Sequence, residues 1–415
     1  MFEHFYHYPA RIKKLHDGPG GLTLERFAKE LYQSGYAKTT AQRYIRAVEH
    51  LIYWLDREGI PISSLSEEFV YRFDRHFNGY QCPRFSHSTR MEILSGLRLF
   101  LKHLQGIGVI DASVNEPSTQ DPVLLVEFYQ WMRQQRGTCD ATLYNYSHSI
   151  RDLINRFGDD PAKFNARILR QFVLEKSQQC GWAAAKTCTT ALRMFLRFLI
   201  ANGKCAATLY GAIPVLAHWR LSSLPRYLQP EEVERVISSC NLISPVGKRD
   251  RAILLLLARL GFRAGDIVQL RLDDIDWEEA TIQVSGKSRR QVRLPLTQEV
   301  GDAISDYLLY GRPRTDANEL FIRSRAPFRA FASHCAVSVL VACAMRRAGV
   351  TCKSRGAAHV LRHSAATSML RQGTSLQDIA AILRHHSIET TQIYAKVDVN
   401  ALQQIAQPWP EALSC

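Results

Sequence analysis

Between Glu319 and Asp378 the chain carries no acidic residue and nine basic ones: Arg323, Arg325, Arg329, Arg346, Arg347, Lys353, Arg355, Arg362 and Arg371. A shorter run, Lys287, Arg289, Arg290 and Arg293, is equally free of acids. One basic run is usually a solvated face, but two in one region fit a surface that tracks phosphates. Groups able to attack or move protons stand in the same region: His359, Arg362, the pair His385-His386, and Tyr394. Arg263 and its neighbour Asp266 precede them. Taken singly, each has an ordinary structural explanation. A tyrosine in Thr-Gln-Ile-Tyr fits a half-buried core position, Arg263 can simply pair with Asp266, and His359 can cap a helix. The histidine pair would suggest a metal only with a third ligand at a recognisable spacing, and none follows. Neither a metal nor a cofactor is expected.

The elements that must position these groups can be read around them. Gln229-Pro230-Glu231-Glu232 is a helix start, with proline in the first turn and acids behind it. A buried helix follows around Ala252–Leu260, closed by Gly261. Thr281–Val284 and Val292–Leu294 are β-rich runs flanking Gly286–Gln291, a β-hairpin with a basic turn. Beyond Thr297 the pattern is mainly helical. Upstream, residues 24–110 and 125–205 read as two copies of one helical plan. Thr40-Ala-Gln-Arg-Tyr44 leads into Val48, Leu51 and Leu55; Thr142-Leu-Tyr-Asn-Tyr146 leads into Ile150, Leu153 and Phe157. Each copy later has a Leu-Arg-x-Phe-Leu helix, from Leu97 and from Leu192, ending near Gly108 and Gly203. Polar, proline-bearing stretches at 111–122 and 206–225 read as linkers. The expected domains are 1–115, 122–206 and 226–415.

Composition narrows the function classes. The 415 residues include 53 Lys+Arg against 39 Asp+Glu, a formal net charge of +14, which points to a polyanionic partner. A hydrophobic fraction of 46% and a charged fraction of 22% exclude a wholly disordered chain. No apolar run approaches the ~18 residues of a membrane span, and the N-terminus lacks the basic flank and apolar run of a signal peptide. The ten cysteines contain no C-x-x-C, which argues against a zinc ribbon or a disulfide framework. A cytoplasmic, nucleoid-associated protein is expected.

In order and spacing, the stretch 224–397 resembles the catalytic domain of the tyrosine recombinases, the phage integrases and their bacterial relatives. Gly261-Phe-Arg-Ala-Gly-Asp-Ile-Val-Gln-Leu270 is similar to the first-arginine box, which implies Arg263 as first catalytic arginine and Asp266 as its supporting acid. Gly286-Lys287 with Arg293-Leu-Pro-Leu296 is similar to the hairpin lysine, and His359-Val-Leu-Arg362 to the His-x-x-Arg box. Leu383-Arg-His385-His-Ser-Ile-Glu-Thr-Thr-Gln-Ile-Tyr394 resembles the closing box, with His385 as second histidine and Tyr394 as nucleophile. The residue before that histidine is commonly glycine in the family; here it is Arg384. The resemblance implies mainly helical architecture, with tandem helical (SAM-like) DNA-binding modules followed by an α+β catalytic domain. Residues 125–205 resemble the family's core-binding module, and the first copy is additional.

Such residues suit phosphodiester exchange without metal or ATP. A tyrosine can attack phosphorus and hold the strand end as a 3′-phosphotyrosine. Arg263 and Arg362 suit the non-bridging oxygens, Lys287 the departing 5′-oxygen, and His385 a phosphate oxygen. His359 is the expected aid to Tyr394 deprotonation. Arg289, Arg290, Arg293, Arg193 and Arg197 are candidate DNA contacts. The expected function is a site-specific recombinase or integrase of a mobile element, acting on double-stranded DNA sites as a homotetramer. A housekeeping dimer-resolving recombinase is the nearest alternative. A type IB topoisomerase and a regulator that has lost catalysis are more distant.

Overall fold

The computed structural model describes residues 1–78, 90–110, 121–216, 224–285, 291–351, 356–397 and 402–403. The chain divides into two compact units, one formed by 1–114 together with 221–415, the other by 115–220.

The first unit opens with five helices, α1 (Pro9–Asp17), α2 (Gly21–Gln33), α3 (Lys38–Arg57), α4 (Glu67–Asn78) and α5 (Arg90–Gly106). The second unit contains α6 (Val123–Arg136), α7 (Asp140–Phe157), α8 (Ala166–Gln179) and α9 (Trp182–Ala201). The duplicated sequence plan has a structural counterpart. Helices α2 to α5 touch one another in the same pairs as α6 to α9: first with second, second with fourth, third with fourth, and first with fourth. In each copy the Thr/Tyr helix lies against the Leu-Arg-x-Phe-Leu helix. The two cores are separate, one around Phe27, Leu51 and Phe100, the other around Phe128, Leu153 and Phe195.

From residue 224 the first unit continues with α10 (Pro230–Ser238), α11 (Pro245–Ala258) and α12 (Ala264–Gln269). A three-stranded antiparallel sheet follows in the order β1 (Ile275–Asp276), β2 (Thr281–Ser285), β3 (Gln291–Pro295). The helices α13 (Gln298–Tyr310), α14 (His334–Arg347), α15 (Ala357–Arg371) and α16 (Leu376–Ile382) complete it. The register Ile282↔Leu294 and Val284↔Val292 confirms the expected hairpin. The tip of that hairpin, with Lys287, Arg289 and Arg290, lies outside the described residues, as do residues 111–120 and 217–223 of the two linkers. Leu254, Leu255, Leu256 and Leu257 are all fully buried. A helix that is apolar on every side belongs at the centre of a domain, and α11 accordingly touches α10, α12, α13, α14 and α15.

The first helical copy and the C-terminal region meet within their shared unit. The Phe328 backbone N–H donates to the Ser34 carbonyl at 3.2 Å, and the Phe328 ring lies over Gly35 where a side chain would stand. Sequence reading separates these two regions; the contact that joins them is long-range.

Because α11 supports every surrounding helix, Leu256→Ala should cost about 2–5 kcal/mol of stability through the cavity it leaves. Equilibrium denaturation of the full chain measures this. A loss below about 1 kcal/mol would show that α11 is not the centre of the domain.

Candidate active site

The site is built where three helix ends converge. Helix α11 is followed by Gly261, whose φ of +61° turns the chain into the segment Phe262-Arg263. Arg263 immediately precedes α12. The Asp266 carboxylate, in the first turn of that helix, accepts from the Arg263 backbone N–H at 2.8 Å, as an acid at the third helical position does. The third end belongs to α16, which closes at Leu383 and Arg384.

Both arginines are held by carbonyls of these ends. Arg362, on α15, is 4% exposed; its Nη1 donates to the Gly261 carbonyl and its Nη2 to that of Leu383. The Arg263 Nη2 donates to the next carbonyl, that of Arg384, at 3.0 Å. Burial, reinforced by Arg263, lowers the Arg362 pKa to about 9, which leaves the guanidinium charged at neutral pH. A guanidinium carries five N–H donors, so these contacts leave donors for an anion.

Tyr394 sits in a short 3-10 turn (Gln392–Val397) and is 1% exposed. Burial raises its hydroxyl to a pKa of about 12 against the pull of Arg362 and Arg263. Its Oη lies 2.8 Å from Nδ1 of His363, the residue after Arg362. His385 Nδ1 is 2.7 Å from the hydroxyl of Thr391, itself fully buried. Burial first, and neighbouring positive groups second, lower His363 and His385 to about 4, so both rings are neutral at pH 7.

The structure thus brings Arg263, Asp266, Arg362, His385 and Tyr394 together. His359 is exposed, on α15 one turn before His363, with the two ring centroids 6.4 Å apart. His363, which sequence reading passed over in favour of the box residue four positions earlier, stands within hydrogen-bond distance of the tyrosine oxygen. Lys287 falls outside the described residues. Arg293 is on β3, largely exposed, 3.9 Å from Asp276. In the second unit, Arg193 donates to the carbonyls of Ile213 and Pro214, and Arg197 to the Tyr210 hydroxyl at 2.7 Å.

Arg384 is the second residue missed. Its φ is +54°, a left-handed conformation that costs a residue with a Cβ about 1–2 kcal/mol. Its side chain, 5% exposed, donates to Asp266 at 2.6 Å and stands 5.0 Å over the Phe262 ring. Asp266 therefore joins the turn before the second histidine to the start of α12.

Comparison with known proteins places the chain in a family. Residues 226–401 match the family model described as "Phage integrase family". A Sinorhizobium fredii protein named "Putative integrase/recombinase y4rA" is 35% identical over 401 residues, covering 95% of each chain. The tyrosine recombinase XerA of Thermococcus onnurineus is 30% identical over 284 residues, covering 68% of this chain and 93% of its own. The fold is similar to that of the XerH site-specific recombinase bound to a palindromic difH substrate (TM-score 0.56, 19% identity, 69% of this chain and 85% of that one). It is similar also to the Tn1549 transposon integrase in complex with transposon right end DNA (TM-score 0.53, 15% identity, 68% and 99%). The chain belongs to the phage integrase family of tyrosine recombinases, enzymes that cleave and rejoin DNA.

Two outcomes follow from the geometry. An added Cβ at Gly261 would stand 2.4 Å from Leu383 Cδ2 at a positive φ. Gly261→Ala should cost about 1–3 kcal/mol by overpacking and displace a carbonyl that holds Arg362, seen as a lower melting temperature with weakened DNA cleavage. The second concerns pH. His363 and His385 titrate near 4 when folded and near 6.5 when unfolded, so the unfolded chain binds more protons between those values. Their contribution is complete above pH 6.5 and is lost as pH falls towards 4. The melting temperature should drop through that window, and the drop should be smaller in His363→Phe. An unchanged pH profile in that variant would contradict the burial of the ring.

Proposed function

We propose that this chain is a site-specific recombinase or integrase of a mobile element that works through a covalent 3′-phosphotyrosine. The observation that carries the reading is the convergence of two arginine guanidiniums, a histidine and a tyrosine on one site. Tyr394 Oη attacks the scissile phosphorus, its proton passing to a histidine. His363 Nδ1 is the acceptor already within hydrogen-bond distance, and His359 is the family-implied alternative. The P–O5′ bond breaks, and the departing oxygen takes a proton from Lys287. Reversal by a different 5′-hydroxyl completes strand exchange without ATP or metal. Arg263 and Arg362 offset the charge that grows on the non-bridging oxygens. At 1% exposure Tyr394 does not meet solvent, so attack requires the Gln392–Val397 turn to shift when DNA is seated.

The mobile-element role is favoured over a housekeeping one by length. The Xer relative covers 68% of this chain, whereas the Sinorhizobium fredii integrase/recombinase covers 95%. A relative named integrase/recombinase therefore matches more of this chain than the Xer recombinase does. Four protomers are proposed to assemble on two DNA sites in the cytoplasm. Arg289, Arg290 and Arg293 would track phosphates, with Arg193 and Arg197 close to the duplex on the second unit.

Tyr394→Phe tests the reading. It removes one oxygen from a packed ring, so folding and DNA affinity should persist. On nicked duplexes from the DNA flanking the gene, the parent should form a covalent adduct under denaturing conditions and the variant none. Arg362→Ala should slow adduct formation about 10²–10³-fold, the cost of removing a comparable transition-state donor, and added chelator should change neither result. An adduct that survives Tyr394→Phe would place the nucleophile elsewhere.

A further inference from the structure

The left-handed backbone at Arg384 is hard to explain as a stability device. Glycine would adopt φ +54° without strain. The side chain that accepts this strain is then buried with Nε and Nη1 lacking a hydrogen-bond partner among the described residues. It also adds a third cation beside Arg263 and Arg362. A residue with these costs persists where the surrounding structure uses it.

The geometry shows a use. Residues 383 and 384 present successive carbonyls, that of Leu383 to Arg362 and that of Arg384 to Arg263. The same turn is tied through the Arg384 side chain to Asp266, whose other contact is the backbone N–H of Arg263. One guanidinium therefore closes a ring that runs from Asp266 to Arg384, through its carbonyl to the Arg263 side chain, and back through the Arg263 backbone to Asp266. Asp266 is 7% exposed. Without Arg384 this buried carboxylate would face the Arg263 cation, which would turn towards it and away from the phosphate.

We propose that Arg384 is a positioning residue: anchored on Asp266, it fixes the 383–384 turn that aims the Arg263 and Arg362 guanidiniums, and it keeps Asp266 from capturing Arg263. The proposal rests on the reading of Arg263 and Arg362 as the phosphate-binding pair.

Arg384→Gly is the direct test, because glycine retains the backbone conformation while the ion pair is lost. The full chain should keep its melting temperature within a few degrees and bind the nicked duplex with parental affinity. Its single-turnover rate of adduct formation should fall about 10²-fold, the scale on which misplaced catalytic groups cost rate. Arg384→Lys retains a cation for Asp266 and should recover to within about tenfold of the parent. A second readout is independent of chemistry. Orthovanadate, a phosphate mimic that the paired arginines would hold, should raise the parent's melting temperature but not that of Arg384→Gly. Parental cleavage and vanadate stabilisation in Arg384→Gly would overturn the proposal, as would a parent that gains no stability from vanadate. Failure of the phosphotyrosine reading looks different: the parent then forms no adduct, while the vanadate arm still separates parent from variant. Should Arg384→Gly not fold, Arg384→Lys and Arg384→Gln decide the matter. Lysine retaining and glutamine losing the vanadate shift supports the proposal, and equal behaviour of the two overturns it.

Discussion

A guanidinium taken out of water is costly unless its charge is offset, and Arg362 sets that demand at the centre of this site. It is met by carbonyls rather than by a carboxylate. Gly261 lies just beyond the C-terminal end of α11, and Leu383 closes α16. Helix C-termini carry partial negative charge and orphan carbonyls, so they stabilise a cation without cancelling it. A carboxylate in the same place would neutralise the arginine and repel a phosphate. The lengths and ends of α11 and α16 are thus constrained by the need to hold one positive group dry, charged and available.

That choice governs the other ionisable groups. Burial pushes the Tyr394 hydroxyl up to about 12 and the two histidines down to about 4. The site therefore carries its positive charge on arginines and keeps Tyr394, His363 and His385 neutral. An arriving phosphodiester reverses the balance, because its charge compensates the arginines and favours a protonated histidine. In the resting site the tyrosine oxygen is already paired with His363, and Asp266, the carboxylate beside the arginines among the described residues, is occupied by Arg384 and a backbone N–H.

Much of this was legible in the sequence, for a physical reason. The ordered boxes around Arg263, Arg362, His385 and Tyr394 sit at helix ends, and glycines, caps and charge show such ends locally. The hairpin is legible because its alternation is local too. What stayed hidden depends on tertiary approach. His363 is a plain neighbour of Arg362 until α15 turns it towards Tyr394, although its i, i+4 spacing from His359 was a visible signal. Arg384 reads as a departure from glycine, and only its distance to Asp266, 118 residues away, gives it a partner. Arg193 and Arg197, candidate DNA contacts from the sequence, also hold the segment 210–214 of their own unit. The contact of Gly35 with Phe328 has no local signature at all.

The two helical copies show how far a shared plan constrains a surface. Their helices touch in the same pairs, since the apolar positions that set those pairs are the ones the copies share. The intervening positions have diverged. Tyr144, one turn into α7, is 67% exposed. The corresponding position in α3 is Gln42, whose amide donates to the Phe5 carbonyl, and the next residue, Arg43, is paired with Glu92 at 2.7 Å. The N-terminal segment before α1 thus lies on a face of the first copy whose counterpart in the second carries an exposed aromatic. Core positions answer to packing and outer positions to whatever covers them, so a duplicated fold does not imply a duplicated binding face. On the first copy, residues of the chain itself occupy that place.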